Sequence, residues 1–357
     1  SMNITVKWDG APAVFAGIDP TDGKFFVAKK GIFNKNPKVY KTAADVDADT
    51  SGDLATKLKA SLAAFKDLGI KDVIQGDLLY THDTIDHTQI DGEDYITFQP
   101  NTIVYAVPAN SKLAKQILRS KIGVVWHTIY RGNTFESMKA SFGEDISGRL
   151  KQTSAVWHTD ATFKDVSGAA TFTADETKAV TALLSRAGSL LNTIPASTLN
   201  DISDNDELLI RVKTYNNAKV RAGQKITNTS AHVTGLMNFI HAYYQKQADT
   251  KKTDKGKQVQ LAKQKEMLRY FTSHSKADIV KVFDLMNLMV DCKNAVIHKL
   301  NMVQSLRTFL RTTDGFRATT PEGYVAIDHI GNAVKLVDRL EFSRANFSPD
   351  IIKGWQK

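Results

Sequence analysis

Ile4-Thr5-Val6-Lys7-Trp8-Asp9-Gly10-Ala11-Pro12 decides how the rest of this chain is read. A β-branched run leads into a lysine, one spacer and then Asp-Gly. The run predicts a strand, and Gly10 lets the backbone turn tightly beside a bulky group. A lysine at such an exit can act as a nucleophile once it has lost its proton, which an ordinary lysine holds up to about pH 10. The same four residues also describe many plain strand-to-turn exits, so their meaning depends on what the chain brings to meet them.

The 357 residues suffice for one large domain or two ordinary ones with a sizeable core. The 42% hydrophobic and 24% charged content excludes a disordered chain. A formal charge of +9 permits a polyanionic partner without requiring one. The single cysteine, Cys292, excludes an internal disulfide and any multi-cysteine metal site; its apolar helical setting reads as a reduced core thiol. No apolar run is long enough to span a membrane and no secretory signal is visible, so we expect a cytoplasmic protein without a membrane partner. Ser1-Met2 is not a natural initiation, which suggests a tag remnant or residues missing upstream.

Outward from the first strand, residues 13–18 and 24–33 read as a hairpin about the turn Asp19-Pro20-Thr21-Asp22-Gly23. Lys30-Gly31 places a cation near its end. Residues 53–68 show helical spacing stopped by Gly69. A strand with Gly76-Asp77-Leu78 follows, then an acidic stretch from Asp83 to Asp94 read as a solvated loop, then one strand over 96–108 that carries Tyr105. Val125-Trp126-His127-Thr128 and Val156-Trp157-His158-Thr159 read as two similar strands of one sheet, tryptophans packing and histidines near a rim.

From about residue 170 the character is helical. Thr173-Ala174-Asp175-Glu176 is a capping box, and further helices are expected over 206–219 and 230–247. The lysine-rich run 246–265 reads as a solvated loop or helix end able to grip a phosphate backbone. A long helix from Ser275 carries an apolar stripe from Ile279 through Leu300, Val303 and Leu306 to Leu310. The chain closes with a strand led by Glu322-Gly323, a Gly331-Asn332 turn, and residues 333–342, whose alternation puts Lys335 and Arg339 on one face.

In this order the motifs resemble those of the covalent nucleotidyltransferase superfamily of ATP-dependent RNA and DNA ligases and capping enzymes, closest in look to phage RNA ligases. Lys7-Trp8-Asp9-Gly10 looks like the nucleophile motif, Lys30-Gly31 the basic-Gly motif and Gly76-Asp77 the acidic motif. Tyr105 looks like the aromatic residue near the base, Glu322-Gly323-Tyr324-Val325 the Glu-Gly motif, and Val334-Lys335-Leu336 the terminal lysine motif. The chain also has the look of tailed-phage proteins, which would place it in the host cytoplasm.

The resemblance implies an α+β fold: an antiparallel-sheet, ATP-grasp-like nucleotidyltransferase core in residues 1–110 and 316–357, further strands in 111–169, and a helical insertion over 170–315. It implies a lysyl-AMP formed at Lys7 from ATP with Mg²⁺, passed on to seal RNA 5′-phosphate and 3′-hydroxyl ends. Asp9, Glu322 and Lys335 would serve catalysis, and Asp77 and Glu322 the metal. Gly10, Lys30, Asp77, Tyr105, Lys335 and Arg339 would hold the nucleotide. Nucleic acid, RNA favoured over DNA, would be the partner. Two departures keep other readings open. Asp77 stands where the family usually has Glu, and Val337 where it has a second lysine. The alternatives are a degenerate fold acting as a nucleic-acid-binding or phage assembly module, and AMP transfer to an acceptor other than nucleic acid.

Overall fold

The computed structural model describes residues 3–161, 172–301, 306–320, 322–328, 330 and 332–356. The chain divides into two compact units. The first comprises Ser1–Ala170, Leu300–Val337 and Ala345–Lys357, and the second Thr171–Lys299 with Asp338–Arg344.

In chain order the first unit begins with β1 (Asn3–Lys7), β2 (Ala13–Ile18), β3 (Phe25–Ala28), α1 (Ala43–Asp49), α2 (Gly52–Phe65) and β4 (Val73–Thr81). It continues with β5 (Asp86–Ile90), β6 (Glu93–Phe98), β7 (Ile103–Pro108), α3 (Lys112–Arg119), β8 (Ile122–Arg131), β9 (Lys139–Phe142) and β10 (Val156–Asp160). The helical unit is built from α4 (Ala174–Leu191), α5 (Ala196–Ser203), α6 (Asp206–Arg221), α7 (Thr229–Asp249), α8 (Asp254–Ser273) and α9 (Lys276–Asn301). The first unit resumes with β11 (Arg307–Thr312), β12 (Gly315–Ala318), β13 (Gly323–Ile327) and β14 (Ala333–Leu336), and α10 (Arg339–Phe347) follows.

Three sheets make the first unit: β1-β13-β14, β10-β8-β4-β2-β3 with β9 on β8, and β12-β11-β7-β6-β5. All pairings are antiparallel except β8–β10, which is parallel. The fold is therefore mixed α and β with antiparallel sheets and a helical part. α2 lays Leu58 and Phe65 on the second sheet, where Phe65 meets the fully buried Trp126 with ring centroids 5.2 Å apart. Phe98 and Tyr105 of the third sheet pack with Ala114 and Ile117 of α3. In the helical unit Leu208, Leu236, Tyr244, Met267 and Phe283 form a separate core.

Several expected elements differ. The single strand over 96–108 is two strands, β6 and β7, paired across a turn, so that Tyr105 opposes Phe98. The acidic stretch contains β5, which pairs with β6. The lysine-rich run enters α8 once Thr253 caps it, its hydroxyl accepting from the Gly256 N–H. The long helix ends at Asn301; Leu310 belongs to β11, whose register matches Phe309 to Val104 of β7. Val303 lies outside the described residues, as do Pro321 and Gly331. Residues 339–342 are helical because Asp338 caps α10, its carboxylate accepting from the Leu340 and Glu341 N–H groups. Strand alternation therefore does not extend from Lys335 to Arg339. The helical unit takes Thr171–Lys299 and Asp338–Arg344, so residues 300–315 belong to the sheet unit and residues 338–344 to the helical one.

Candidate active site

The first strand ends on Lys7, and its register sets what Lys7 meets. β1 pairs with β13 so that Thr5 faces Val325 and Lys7 faces Gly323, and β13 in turn sets Val325 against Lys335 of β14. Period-2 alternation places Thr5, Lys7, Val325 and Lys335 on one face. The Lys7 amine donates to a carboxylate oxygen of Glu322, the residue before Gly323, and the two form an ion pair. Gly323 has φ +150°, and a Cβ there would lie 2.7 Å from the Leu336 carbonyl oxygen, so the Glu-Gly step admits only glycine at its second position.

The opposite wall comes from β4 and β8. A register shift between Gln75 and Gly76 interrupts their pairing, and beyond it Asp77 pairs with Val125. A Cβ on Gly76 would collide with the Val125 carbonyl and lie 2.7 Å from the Trp126 ring, so the glycine allows β8 to approach where Asp77 is re-aimed. Gly10 does similar work: its Cβ would sit 2.6 Å from Asp77 Cβ. The result is a pocket of about 390 Å³ lined by Lys7, Trp8, Asp77, His127, Phe142 and Lys335 among others. That volume lies within the range of small-molecule sites. His127 Nε2 is 3.6 Å from Asp77 Oδ2, and its Nδ1 is 2.7 Å from the Thr128 hydroxyl.

Burial raises the pKa of Glu322 above its ordinary value, reinforced by the Asp9 and Asp77 charges and opposed by the Lys7 ammonium. Asp9 is buried and its pKa is raised by that burial, against the pull of its hydrogen-bond donors. Asn101 Nδ2, Thr102 N and Ile103 N each donate to its carboxylate at 2.7 Å.

A model described as Family of unknown function (DUF6267) matches residues 1–350. The chain belongs to that family. No curated protein and no solved structure matches it.

In this DUF6267 chain, Lys7, Asp77 and Lys335 line one pocket, and Glu322 pairs with Lys7. Other expected residues stand elsewhere. Tyr105 is buried, and its hydroxyl accepts the Asp9 N–H at 2.7 Å while its ring packs on Trp8 and Phe98. It supports the strand exit from below, so its ring face is not open to a base. Asp9 likewise ties the exit of β1 to residues 101–103 rather than lining the pocket. Lys30 is exposed in the turn after β3 and lines no part of the pocket. Arg339 heads α10, and its guanidinium donates to Asn217 Oδ1 at 2.7 Å within the helical unit.

Two residues gain weight from the structure. His127 was legible as one of two Trp-His-Thr histidines; the parallel β8–β10 register separates them, and the buried His158 lines no part of the pocket. Lys353 carried no sequence signal. Its amine donates to Thr102 Oγ1 and the Ala345 carbonyl, bracing the loop that holds Asp9.

For Mg²⁺, the donors at hand are the Asp77 and Glu322 carboxylates. No cluster of three or more His, Cys, Asp or Glu able to hold a metal occurs among the described residues. The set fits an ion that takes one or two carboxylates and completes its shell with water and phosphate oxygens. It does not fit an all-protein cage.

Among the described residues no helix is long and apolar enough to cross a membrane.

Proposed function

We propose that this protein is a nucleotidyltransferase in which Lys7 takes AMP from ATP, and that its acceptor is an RNA end. The observation that carries the reading is the Lys7–Glu322 ion pair, with Asp77 and Lys335 lining the same pocket as Lys7. In the proposed reaction the Lys7 ammonium gives up one proton to the Glu322 carboxylate and attacks the α-phosphorus of ATP, its nitrogen losing a second proton to solvent as the phosphoramidate forms. A P–N bond forms, the bond from the α-phosphorus to the bridging oxygen breaks, and pyrophosphate leaves with the electron pair. The raised pKa of Glu322 makes it a better proton acceptor than an exposed carboxylate. Lys335 offers positive charge to the phosphates, and His127 and Phe142 offer ring faces to the nucleoside. Asp77, together with the Glu322 oxygen that does not take the proton, would hold Mg²⁺ through its waters, and the ion when bound supplies charge to offset the phosphate oxygens. The AMP then passes to a 5′-phosphate, leaving Lys7 free, and a 3′-hydroxyl displaces AMP as the ends join.

Incubation with ATP labelled at the α-phosphate and Mg²⁺ tests the first step. An acid-labile covalent adduct is expected, absent in Lys7→Ala. No adduct in the wild-type chain sinks the enzymatic reading. RNA carrying 5′-phosphate and 3′-hydroxyl ends then tests the acceptor; adduct without joining directs the transfer to a different acceptor.

One observation favours a second reading, a degenerate fold that binds nucleic acid. Arg339 is engaged with Asn217, and Val337 stands where a second lysine is usual, so Lys335 alone represents the terminal motif in the pocket. That reading expects salt-sensitive binding and no adduct.

A further inference from the structure

Residues 171–299 carry 19 lysines and arginines against 12 aspartates and glutamates, so +7 of the chain's formal +9 falls in this helical segment. The excess is unevenly placed. Lys251 and Lys252 lie in the turn between α7 and α8, and Lys255 and Lys257 in the first turn of α8. At 100° per residue, Lys255, Lys265 and Arg269 fall within an arc of about 80° along α8. All six side chains are exposed. Among the described residues none of them forms an ion pair, whereas Lys263 on the same helix reaches Glu207 at 3.4 Å.

Helix electrostatics only partly accounts for this placement. Lys251 and Lys252 follow the C-terminus of α7, where cations are favoured, but Lys255 and Lys257 sit at the start of α8, where partial positive charge disfavours them. Asp254 is the one carboxylate among residues 251–257, which leaves the four lysines a net charge of +3 there. Lys251 also stays close to the turn: a Cβ on Gly256 would lie 3.4 Å from Lys251 Cβ. A polyanion with phosphates spaced along a line would relieve the repulsion at the turn and continue along Lys265 and Arg269. The fourteen helical rises from residue 255 to residue 269 span about 21 Å, room for several nucleotides of backbone. An anionic membrane fits less well. Val259 is the one large apolar side chain that α8 exposes, too little to insert into a lipid interface.

We propose that the α7–α8 turn and the exposed side of α8 form a sequence-independent binding surface for the phosphate backbone of nucleic acid. The surface lies in the helical unit and does not depend on chemistry at Lys7.

Fluorescence anisotropy of the full chain with a labelled single-stranded RNA of twenty nucleotides tests it across a salt series. Lys251→Ala, Lys252→Ala, Lys255→Ala and Lys257→Ala combined should weaken binding at least ~10-fold. The dependence of log K on log salt should become shallower by about 3, at ~0.7 per lost phosphate contact. The milder pair Lys265→Gln and Arg269→Gln should weaken binding with an unchanged thermal melt, which keeps the test open if the fourfold variant folds poorly. Binding is read without ATP, so no adduct can form, and Lys35→Ala with Lys115→Ala, two exposed lysines of the other unit, should bind RNA as wild type does; failure here and failure of the enzymatic reading are thereby told apart. Unchanged affinity in folded lysine variants overturns the proposal. So does equal loss in the Lys35→Ala and Lys115→Ala control, or binding to phosphatidylserine vesicles with none to RNA.

Discussion

Lys7 and Glu322 stand 315 positions apart and form an ion pair across the β1–β13 edge. The Lys7 side chain keeps 32% of its exposure, Glu322 only 13%, so the amine faces the pocket while its partner is enclosed. Lys7→Arg separates pairing from chemistry. A guanidinium can still pair with Glu322 but stays protonated at any working pH and cannot attack phosphorus. We expect Lys7→Arg to melt within a few degrees of wild type and to form no nucleotide adduct. Glu322→Gln, with no carboxylate to take the proton, should form adduct at least ~100-fold more slowly. Single-turnover labelling with α-labelled ATP measures both.

Asp9 belongs to the same motif as Lys7, yet its contacts are structural. Its carboxylate accepts the Asn101 side-chain amide and the Thr102 N–H of the loop between β6 and β7, and the N–H of Ile103, the first residue of β7. Asp9→Ala leaves three donors unsatisfied at about 1–3 kcal/mol each, so a loss of at least about 3 kcal/mol is expected in urea unfolding. Asp9→Asn keeps an acceptor oxygen and should lose less. If adduct formation instead fell in Asp9→Asn with stability intact, Asp9 would be acting on the nucleophile.

The parts of this fold visible in the sequence are those fixed by near neighbours. The Thr173 capping box forms, with the Glu176 N–H donating to Thr173 Oγ1, and Gly69 ends its helix in the left-handed region. The first hairpin pairs as its turn residues require. What escaped was set by distant partners or by a competing local signal. Residues 307–312 continue an apolar helical stripe, yet they pair with β7 some two hundred positions earlier, a contact no local pattern announces. Arg339 was misplaced because strand alternation was carried past Asp338, which caps α10 instead. At the candidate site the ordered motifs led to Lys7, Glu322, Asp77 and Lys335. They misled at Tyr105, where an aromatic on a buried strand resembles a ligand-stacking one until its burial is known.

Gly76 is the residue that lets β4 and β8 close behind Asp77. A methyl group there collides with a backbone carbonyl and the fully buried Trp126, neither of which can swing away. We expect Gly76→Ala to cost about 1–3 kcal/mol, as overpacking of a fixed core does, and to displace Asp77. Gly188→Ala is the control: its Cβ meets nothing within 4 Å on α4, and alanine should stabilise that helix by up to about 1 kcal/mol. Thermal melts of the two variants should move in opposite directions.

The buried carboxyls give the stability a pH dependence of defined sign. Glu322 and Asp9 both have pKa values raised by burial, so in the window between their unfolded and folded pKa values the native state holds more protons than the unfolded one. Stability therefore falls as pH rises from the ordinary carboxylate range near ~4 up to their raised values, and is level beyond. Glu144 acts the other way. Two hydrogen bonds from the Arg131 guanidinium, 2.7 and 3.0 Å, lower its pKa to about 2, and the stability this lends is lost as pH falls from about 4.5 through 2. The urea midpoint should rise from pH 2 to about 4.5 and then decline. Glu144→Gln should flatten the acid limb alone. Glu322→Gln should flatten part of the decline, read as the change in midpoint with pH rather than its absolute level, because the Lys7 ion pair is lost as well. A decline that survives unchanged in Glu322→Gln would assign it to Asp9, and one that survives in both Glu322→Gln and Asp9→Asn would remove burial of these two carboxyls as its cause.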